Sequence, residues 1–468
     1  MGGIQMKKWI IWVLAVLPMV SFSQHVSNSP VQSEGTWMII GSPGFSPGTV
    51  YFSDIAVSPE GEPYVAFMDM TLNQKISVMK FNGTVWQHVG PAGFSDGPTD
   101  YINIAFSPAG VPYVAYKDES DSSKAIVRRF DGNNWVNVGV PGFSLPYAFF
   151  ISLAFTPSGE PSIAFGDYGS TVYGMAVVMK FNGTQWEYVG PKHFSAGAVL
   201  FICHAYSPAG EPYVIYEDNS GFMDKATVMK FNGTSWVYVG APGFSADVAN
   251  YTTIAFNPSG VPYVAYMDGG YNTKAVVKKF SNDNWENVGT PGFSPIPANN
   301  LNLAFGPTGD PYVSFGGSSF SPNKASVMKF NGIEWDFIGI PEFTAGNTEY
   351  TSMAISPDGK IYIGYKDLSL QGKETVMYYD NPTGSTELTN PKFVLYPNPA
   401  SDKLIVESMN KGINMKLIAI ENAAGRELLT VQTNGTREVL NVVNYPSGVY
   451  FVTIKTNNGI KVEKFCKK

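Results

Sequence analysis

The sequence predicts an all-β chain: a seven-bladed β-propeller with four-stranded blades, its ring closed by an N-terminal strand, followed by a small C-terminal β-sandwich. Three observations carry this expectation. A unit of about 50 residues recurs seven times, and a period of that length built from short strands marks a propeller. Six copies end in a Trp-bearing strand, at Trp86, Trp135, Trp186, Trp236, Trp285 and Trp335, whereas the seventh runs out at Tyr378-Tyr379-Asp380 without one. A spare Trp segment, Thr36 to Gly41, precedes the first copy. It can serve as the missing fourth strand of the last unit.

Taken in order, the chain opens with Lys7-Lys8, an apolar run from Trp9 to Val20 and the small residues of Ser21-Phe22-Ser23. That run is too short for a comfortable membrane span, so residues 1–23 read as a secretory signal peptide and 24–35 as a linker. No later stretch is apolar enough to cross a bilayer, so no membrane span is expected after signal removal. The propeller occupies 36–380. Unit 1 is the template. Strand A is Ser53 to Val57, and a turn through Pro59 and Gly61 leads to strand B, Tyr64 to Met68, ending at Asp69. Strand C, Lys75 to Phe81, meets strand D, Val85 to Gly90, through Asn82-Gly83, the sharpest short hairpin signal. All length variation between units falls in the B–C loop. The spacing is 6 residues from Asp69 to Lys75 but 8 from Asp167 to Met175 and 7 from Asp218 to Lys225 and from Gly317 to Lys324. B–C loops and D–A segments emerge on one face, A–B and C–D turns on the other. The first face is therefore expected to carry binding, because variable loops on a rigid scaffold are where it usually resides. Residues 381–392 read as a Pro/Gly/Ser/Thr/Asn linker and 393–468 as the sandwich.

Composition narrows the function. Aromatics are 14% of the chain and charged residues 15%, which suits an extracellular all-β protein. A net charge of −7 argues against a nucleic-acid partner. The only cysteines, Cys203 and Cys466, fall in different domains, so no disulfide framework is expected.

Several sets of residues recur on the repeat. Four positions before the strand-A alanine stand Phe52, Tyr101, Phe150, Phe201, Tyr251 and Tyr350, with Asn300 in unit 6. On the innermost strand they should surround the channel mouth, where they could stack on sugar rings or wedge between blades as core. Two positions on come Asp54, Asn103, Ser152, Cys203, Thr253, Asn302 and Ser352. This small polar lining has one carboxylate, too few for a Ca²⁺ cage. Asp69/Lys75, Asp118/Lys124, Asp218/Lys225, Asp268/Lys274 and Asp367/Lys373 read as cross-strand ion pairs worth about 0–1 kcal/mol each. Met175 opposite Asp167 and Gly317 opposite Lys324 leave one acid and one base unpaired on the variable face. Lys80, Arg129, Lys180, Lys230, Lys279 and Lys329 form a basic ring near Glu62, Glu160, Glu211 and Asp310. Mutual neutralisation is the expected outcome there, an anionic-glycan surface the sharper alternative.

Catalytic signals are poor. Gly44 to Gly48 and Gly93 to Gly97 match G-x-S-x-G, yet that elbow must join a strand to a helix and here it joins two strands. His25, His88, His193 and His204 do not recur and lack metal-ligand spacing; His204 beside Cys203 is an isolated pair. No catalytic residue, metal site or cofactor is expected.

The C-terminal region resembles the type A C-terminal sorting domain of the Bacteroidota type IX secretion system. The resemblance rests on Leu395-Tyr396-Pro397-Asn398-Pro399-Ala400, Leu404-Ile405-Val406, Gly425-Arg426-Glu427, Tyr445 to Val452 and Lys461 to Phe465. It implies the type IX machinery as a partner of residues 393–468, passage across both membranes, removal of the domain, and a product released or held at the cell surface. The propeller resembles Asp-box and kelch propellers only loosely, since it lacks the leading Ser and Asp of the one, and of the Gly-Gly pair that kelch blades carry unit 6 alone has a counterpart, Gly316-Gly317. The leading expectation is thus a non-catalytic binding or adhesion protein engaging a glycan or a surface protein. The candidate ligand residues are Phe52, Tyr101, Phe150, Asp167, Phe201, Tyr251, Asn300 and Tyr350. A glycan-active hydrolase or lyase, and a structural surface component, are the alternatives.

Overall fold

The structure is a computed structural model and describes residues 35–169, 173–318, 320–380, 393–408, 414–422, 426–456 and 459–468. The expected signal peptide and the linker at 381–392 lie outside these residues. Apart from four three-residue 3-10 turns, the regular elements among the described residues are all strands. In unit 1 the strands are A, Val50–Val57; B, Pro63–Asp69; C, Lys75–Phe81; and D, Trp86–His88, paired antiparallel in that order. The same meander recurs through the repeats, with units 3 and 4 joined by one bridging pair, Met175 with Ala198. The last sheet takes its A, B and C strands from Thr348–Ile355, Ile361–Asp367 and Lys373–Asp380. Its fourth strand is Thr36–Ile39, in the register Thr36↔Asp380 to Ile39↔Met377.

The core lies between neighbouring sheets. Strand B is buried along its whole length in unit 1, because apolar side chains leave both of its faces and each face meets another sheet. Tyr64, Met68, Ile76 and Val78 of unit 1 pack against Ile102, Ile104, Val114 and Tyr116 of unit 2. The last seam is built alike, with Ile55, Val65 and Phe67 of unit 1 against Tyr362 and Val376 of unit 7.

The tryptophans fasten the sheets together. The Trp86 indole donates to Ile40 O at 2.9 Å, Trp135 to Val89 O at 2.7 Å, and Trp335 to Val288 O at 2.7 Å. Trp37 continues the pattern by donating to Ile338 O at 2.8 Å. The Phe of each Gly-Phe-Ser-like segment lies flat on the following tryptophan, as Phe45 does on Trp86 at 4.0 Å and Phe343 on Trp37 at 3.9 Å. The serine of that segment is a staple. Ser95 Oγ accepts from Ile76 N and donates to Gly97 O, and the residue is 3% exposed, so it is no nucleophile.

Residues 393–468 form two antiparallel sheets. One joins Phe393–Tyr396, Lys403–Ser408 and Arg437–Asn441; the other joins Glu427–Gln432, Met415–Asn422, Gly448–Thr456 and Gly459–Lys467. Leu404, Val406 and Leu440 of the first share one buried cluster with Ile418, Val452, Ile454 and Phe465 of the second.

Candidate functional site

The entry to strand A carries a β-bulge in every unit. In unit 1 the register slips between Tyr51 and Asp54, and the same slip recurs at the other six A strands. The residue at the bulge is left-handed in all seven: φ is +50° at Phe52, Tyr101, Tyr251 and Tyr350, +56° at Phe150, +47° at Phe201 and +49° at Asn300. Bulky side chains there cost about 1–3 kcal/mol each, and strain repeated at equivalent positions marks a side chain that has been re-aimed.

The re-aimed side chains meet. Ring centroids are 5.2 Å apart for Tyr350–Phe52, 5.6 Å for Phe52–Tyr101, 5.2 Å for Tyr101–Phe150, 5.3 Å for Phe150–Phe201 and 4.9 Å for Phe201–Tyr251. The arc breaks at Asn300, whose Nδ2 donates to Gly317 O at 2.7 Å. All seven residues are half-buried and line one cavity of about 260 Å³. Burial, helped by Asp100, pushes the Tyr101 phenol up to about 12; burial and Glu349 do the same for Tyr350. Both are therefore neutral donors at any physiological pH.

Below the arc lies the polar lining, and its groups latch each unit to the next. Asp54 accepts from Ile104 N at 2.9 Å, Asn103 Oδ1 from Leu153 N at 3.0 Å, and Ser152 Oγ from His204 N at 3.0 Å. Ser352 Oγ closes the series by donating to Asp54 at 2.6 Å. Burial raises the Asp54 carboxyl above its usual range, and the bonds from Ser352, Ile104, Ile55 and Asn103 offset part of that.

A layer behind the arc went unread in the sequence. The residue before the end of strand B is Met68, Lys117, Gly166, Glu217, Met267, Gly316 or Lys366. Lys117 pairs with Asp100 at 2.5 Å and Glu119 at 3.6 Å, and Lys366 with Glu349 at 2.8 Å. Lys117 Nζ lies 5.6 Å from the Tyr101 ring centroid and Lys366 Nζ 5.8 Å from that of Tyr350. Glu217 accepts from Asn250 Nδ2 at 2.5 Å, and burial pushes its carboxyl up to about 7. Aligning the units by strand B alone would have exposed this column.

The acid–base pairs at the B–C loops need correction. Aspartate and lysine face each other in register, yet no ion pair joins them among the described residues. In units 1, 2, 5 and 7 the short loop forms a 3-10 turn whose leading N–H groups need an acceptor, and the buried aspartate supplies it. Asp69 accepts from Thr71 N, Asp118 from Ser120 N, Asp268 from Gly270 N and Asp367 from Ser369 N, each at 2.9 Å. Lys124 turns instead to Asp121 at 3.1 Å. The longer loops of units 3, 4 and 6 depart from this turn and leave Tyr173 69%, Met223 76% and Phe320 100% exposed. Asp167 is likewise not the unpaired acid expected. It is fully buried and sits 2.6 Å from His193 Nε2. His193 replaces the glycine found at 44, 93, 142, 243 and 292, and it does so in the unit whose lysine has become Met175.

His204 and Cys203 do not act together. Cys203 Sγ faces Thr253 Oγ1 at 3.9 Å, while His204 is 4% exposed between Ser162 Oγ (3.0 Å) and Tyr213 O (2.9 Å). Burial holds its imidazole down at about 4, so it is neutral. Ser162 stands where other units have tyrosine and His204 where they have Ile, Leu or Met, so the one fills space the other vacates. Four of the six basic residues are paired, Lys80–Glu62 and Lys180–Glu160 at 3.0 Å, Lys230–Glu211 at 2.9 Å and Lys329–Asp310 at 2.8 Å, while the units of Arg129 and Lys279 carry Val111 and Val261 in the acid's place. A larger cavity, about 540 Å³, opens on the turn face between Phe106, Phe155, Tyr206, Phe256 and Phe305 under a rim of prolines. It carries neither the left-handed bulges nor the variable loops. Among the described residues no His, Cys, Asp and Glu side chains gather as a metal-holding group, and no helix is long and apolar enough to cross a membrane.

Comparison with known proteins bears on the C-terminal sheets. Residues 394–468 match the secretion system C-terminal sorting domain. The sorting domain indicates type IX export, so the protein reaches the cell surface or the extracellular space. No curated protein matches the chain. Among solved structures, PorZ, an essential surface component of the type IX secretion system of Porphyromonas gingivalis, is 15% identical with a TM-score of 0.45, over 90% of this chain. The chain spans 60% of the length of PorZ. A chain of the mitotic checkpoint complex is 12% identical with a TM-score of 0.50, over 80% of this chain and 99% of that one. Aleuria aurantia lectin in complex with alpha-methyl-L-fucoside is 14% identical with a TM-score of 0.44, over 64% of this chain and 98% of that one. At these identities the likeness concerns the fold alone.

Proposed function

We propose that residues 36–380 form a seven-bladed propeller closed by Thr36–Ile39, that residues 393–468 form a β-sandwich, and that the whole is a non-catalytic surface-binding protein. The aromatic mouth is its ligand site, and a glycan or a protein group its ligand. Successive rings of the arc are turned by 45–53°, close to the one-seventh turn of about 51° that a seven-bladed circle requires. The observation that carries the binding role is the arc itself. Six half-buried aromatic side chains, held in a strained conformation, converge on one cavity. A pocket below the roughly 300–1,000 Å³ of drug-sized ligands suits a single sugar or head group.

Glu217 favours the second reading, a hydrolase or lyase, because a carboxyl near 7 is poised for proton transfer. It is however 5% exposed and held by Asn250. A glycan-array screen of the purified full chain, with products followed by mass spectrometry, tests both. Binding without cleavage that is lost in Tyr101→Leu supports the mouth as a binding site. Cleavage that is lost in Glu217→Gln overturns the non-catalytic reading.

A further inference from the structure

We infer that the larger cavity, on the turn face, takes the alkyl chain of a fatty acid, whose carboxylate is held by Lys279. This site is separate from the aromatic mouth and does not depend on it.

The cavity sets the apolar half of the ligand. Its volume of about 540 Å³ falls within the roughly 300–1,000 Å³ of small-molecule sites. Five consecutive units, 2 to 6, wall it with the aromatic residue that ends strand A and with the proline two residues on. Its polar side chains are already engaged in their own turns. Thr156 accepts from Glu160 N at 3.0 Å, Ser207 from Glu211 N at 3.1 Å and Asn257 from Val261 N at 2.8 Å. A group in this space therefore gains from the apolar surface it buries rather than from hydrogen bonds.

The protein's own pattern sets the charged half. In four units a carboxylate of the A–B turn meets the strand-C lysine at 2.8–3.0 Å. In three of them that lysine also stands 5.4–5.7 Å from the centroid of a strand-B tyrosine. Unit 5 keeps the tyrosine and the lysine in register, Tyr263 with Lys279, but has Val261 at the carboxylate's place. Glu286 faces Lys279 from strand D, as Glu187 faces Lys180, and Lys180 nonetheless turns to Glu160. Unit 2 shows the same exchange with Val111 and Arg129, yet Glu60 of unit 1 reaches within 4.0 Å of where a Cβ on Gly110 would stand. The residue equivalent to Glu60 beside unit 5 is Ala209, so the uncompensated charge is at Lys279.

The two halves adjoin. Pro258 lines the cavity and lies three residues before Val261. Tyr263 lies 5.0 Å, centroid to centroid, from Phe305, which lines it too. A carboxylate standing in unit 5 where Glu62 stands in unit 1 has the cavity beside it, and its alkyl chain crosses the proline rim to enter. A carboxylate is the group this fold already binds at that position, whereas an ammonium head would meet Lys279 as a like charge.

The test is calorimetric titration of the full chain with hexanoate, octanoate and decanoate below their micelle concentrations, beside the matching primary alcohols. Each added methylene should tighten binding about fourfold. The carboxylates should bind about tenfold or more tighter than the alcohols. Lys279→Ala should abolish that preference. Val261→Glu should abolish it as well, and it only restores the pair that four units already hold, so it does not rest on a destabilised chain. Phe305→Val, which installs the residue unit 1 carries there as Val57, should weaken carboxylate and alcohol alike. Lys124→Ala on the opposite face should change nothing. Equal binding of acid and alcohol, or a preference that survives both Lys279→Ala and Val261→Glu, overturns the head-group assignment. Binding indifferent to chain length or to Phe305→Val overturns the cavity as its seat, and no binding of any member overturns the site.

Discussion

Glu374 is fully buried in strand C of the last sheet, where the other units carry Ile76, Ala125, Ala176, Ala226, Ala275 and Ala325. Gly364 makes room for it, since a Cβ there would lie 3.2 Å from its Oε1. Burial drives the carboxyl up to about 8; the Ser53 hydroxyl and the Tyr365 N–H offset part of this, and Asp54 and Asp367 add to it. The folded state thus keeps a proton that the unfolded chain loses near 4.5. Stability therefore falls as pH rises from about 4.5 to 8, by about 3 kcal/mol at pH 7. Glu374→Gln should raise the unfolding midpoint at pH 8 and change it little at pH 4; denaturant melts at the two pH values check this. The sequence made the substitution visible but could not say whether the side chain faced water, because alternation in a doubly covered strand does not separate inside from outside.

At the scale of the loop and strand, His193 and Met175 read as one exchange. In two other units the lysine lies beside the glycine, Lys124 near Gly142 together with Asp121 and Lys373 near Gly44 together with Leu370. In unit 3 a histidine stands at the glycine's position, and its Nε2 reaches Asp167 from there. His193→Gly should cost about 1–3 kcal/mol by leaving a buried carboxylate short of a partner. Adding Met175→Lys should return most of it, which a double-mutant cycle in denaturant measures. The sequence showed the missing lysine; the compensating histidine lay 18 residues away (175 to 193) and became legible only with Asp167 and His193 in contact. The repeat and its closing strand were legible because a tryptophan column is hard to miss. Trp37 and Trp86 are both half-buried and hold equivalent bonds. Trp37→Ala and Trp86→Ala should therefore destabilise alike, each by about 2–4 kcal/mol, below the cost of a wholly buried tryptophan. A silent Trp37→Ala would mean the first strand is an appendage. The bulges, by contrast, were not legible: nothing in Phe52 or Tyr101 as letters announces a left-handed backbone, since aromatic residues ordinarily avoid it.

For the molecule as a whole, export and the proposed binding lie in separate stretches of chain. Deleting residues 393–468 should leave the protein in the periplasm, and cell fractionation with surface protease treatment reads this directly. Surface display of the truncated chain would refute the sorting role. The resemblance of the tail was legible because its motifs are specific, whereas the ligand was not, since it depends on how seven distant side chains converge.

Thr36 and Asp380 are paired partners, and they occupy the place where every other unit has its C–D turn. In the proposed seven-bladed circle the chain is thus interrupted at one hairpin out of seven equivalent ones, and that position is in principle arbitrary. Circular permutants joined there by an Asn-Gly turn and reopened at Asn82-Gly83 or Asn232-Gly233 should fold to the same structure. Because every such opening lies on the turn face, the attached tail would in each case be carried on the side opposite the aromatic mouth.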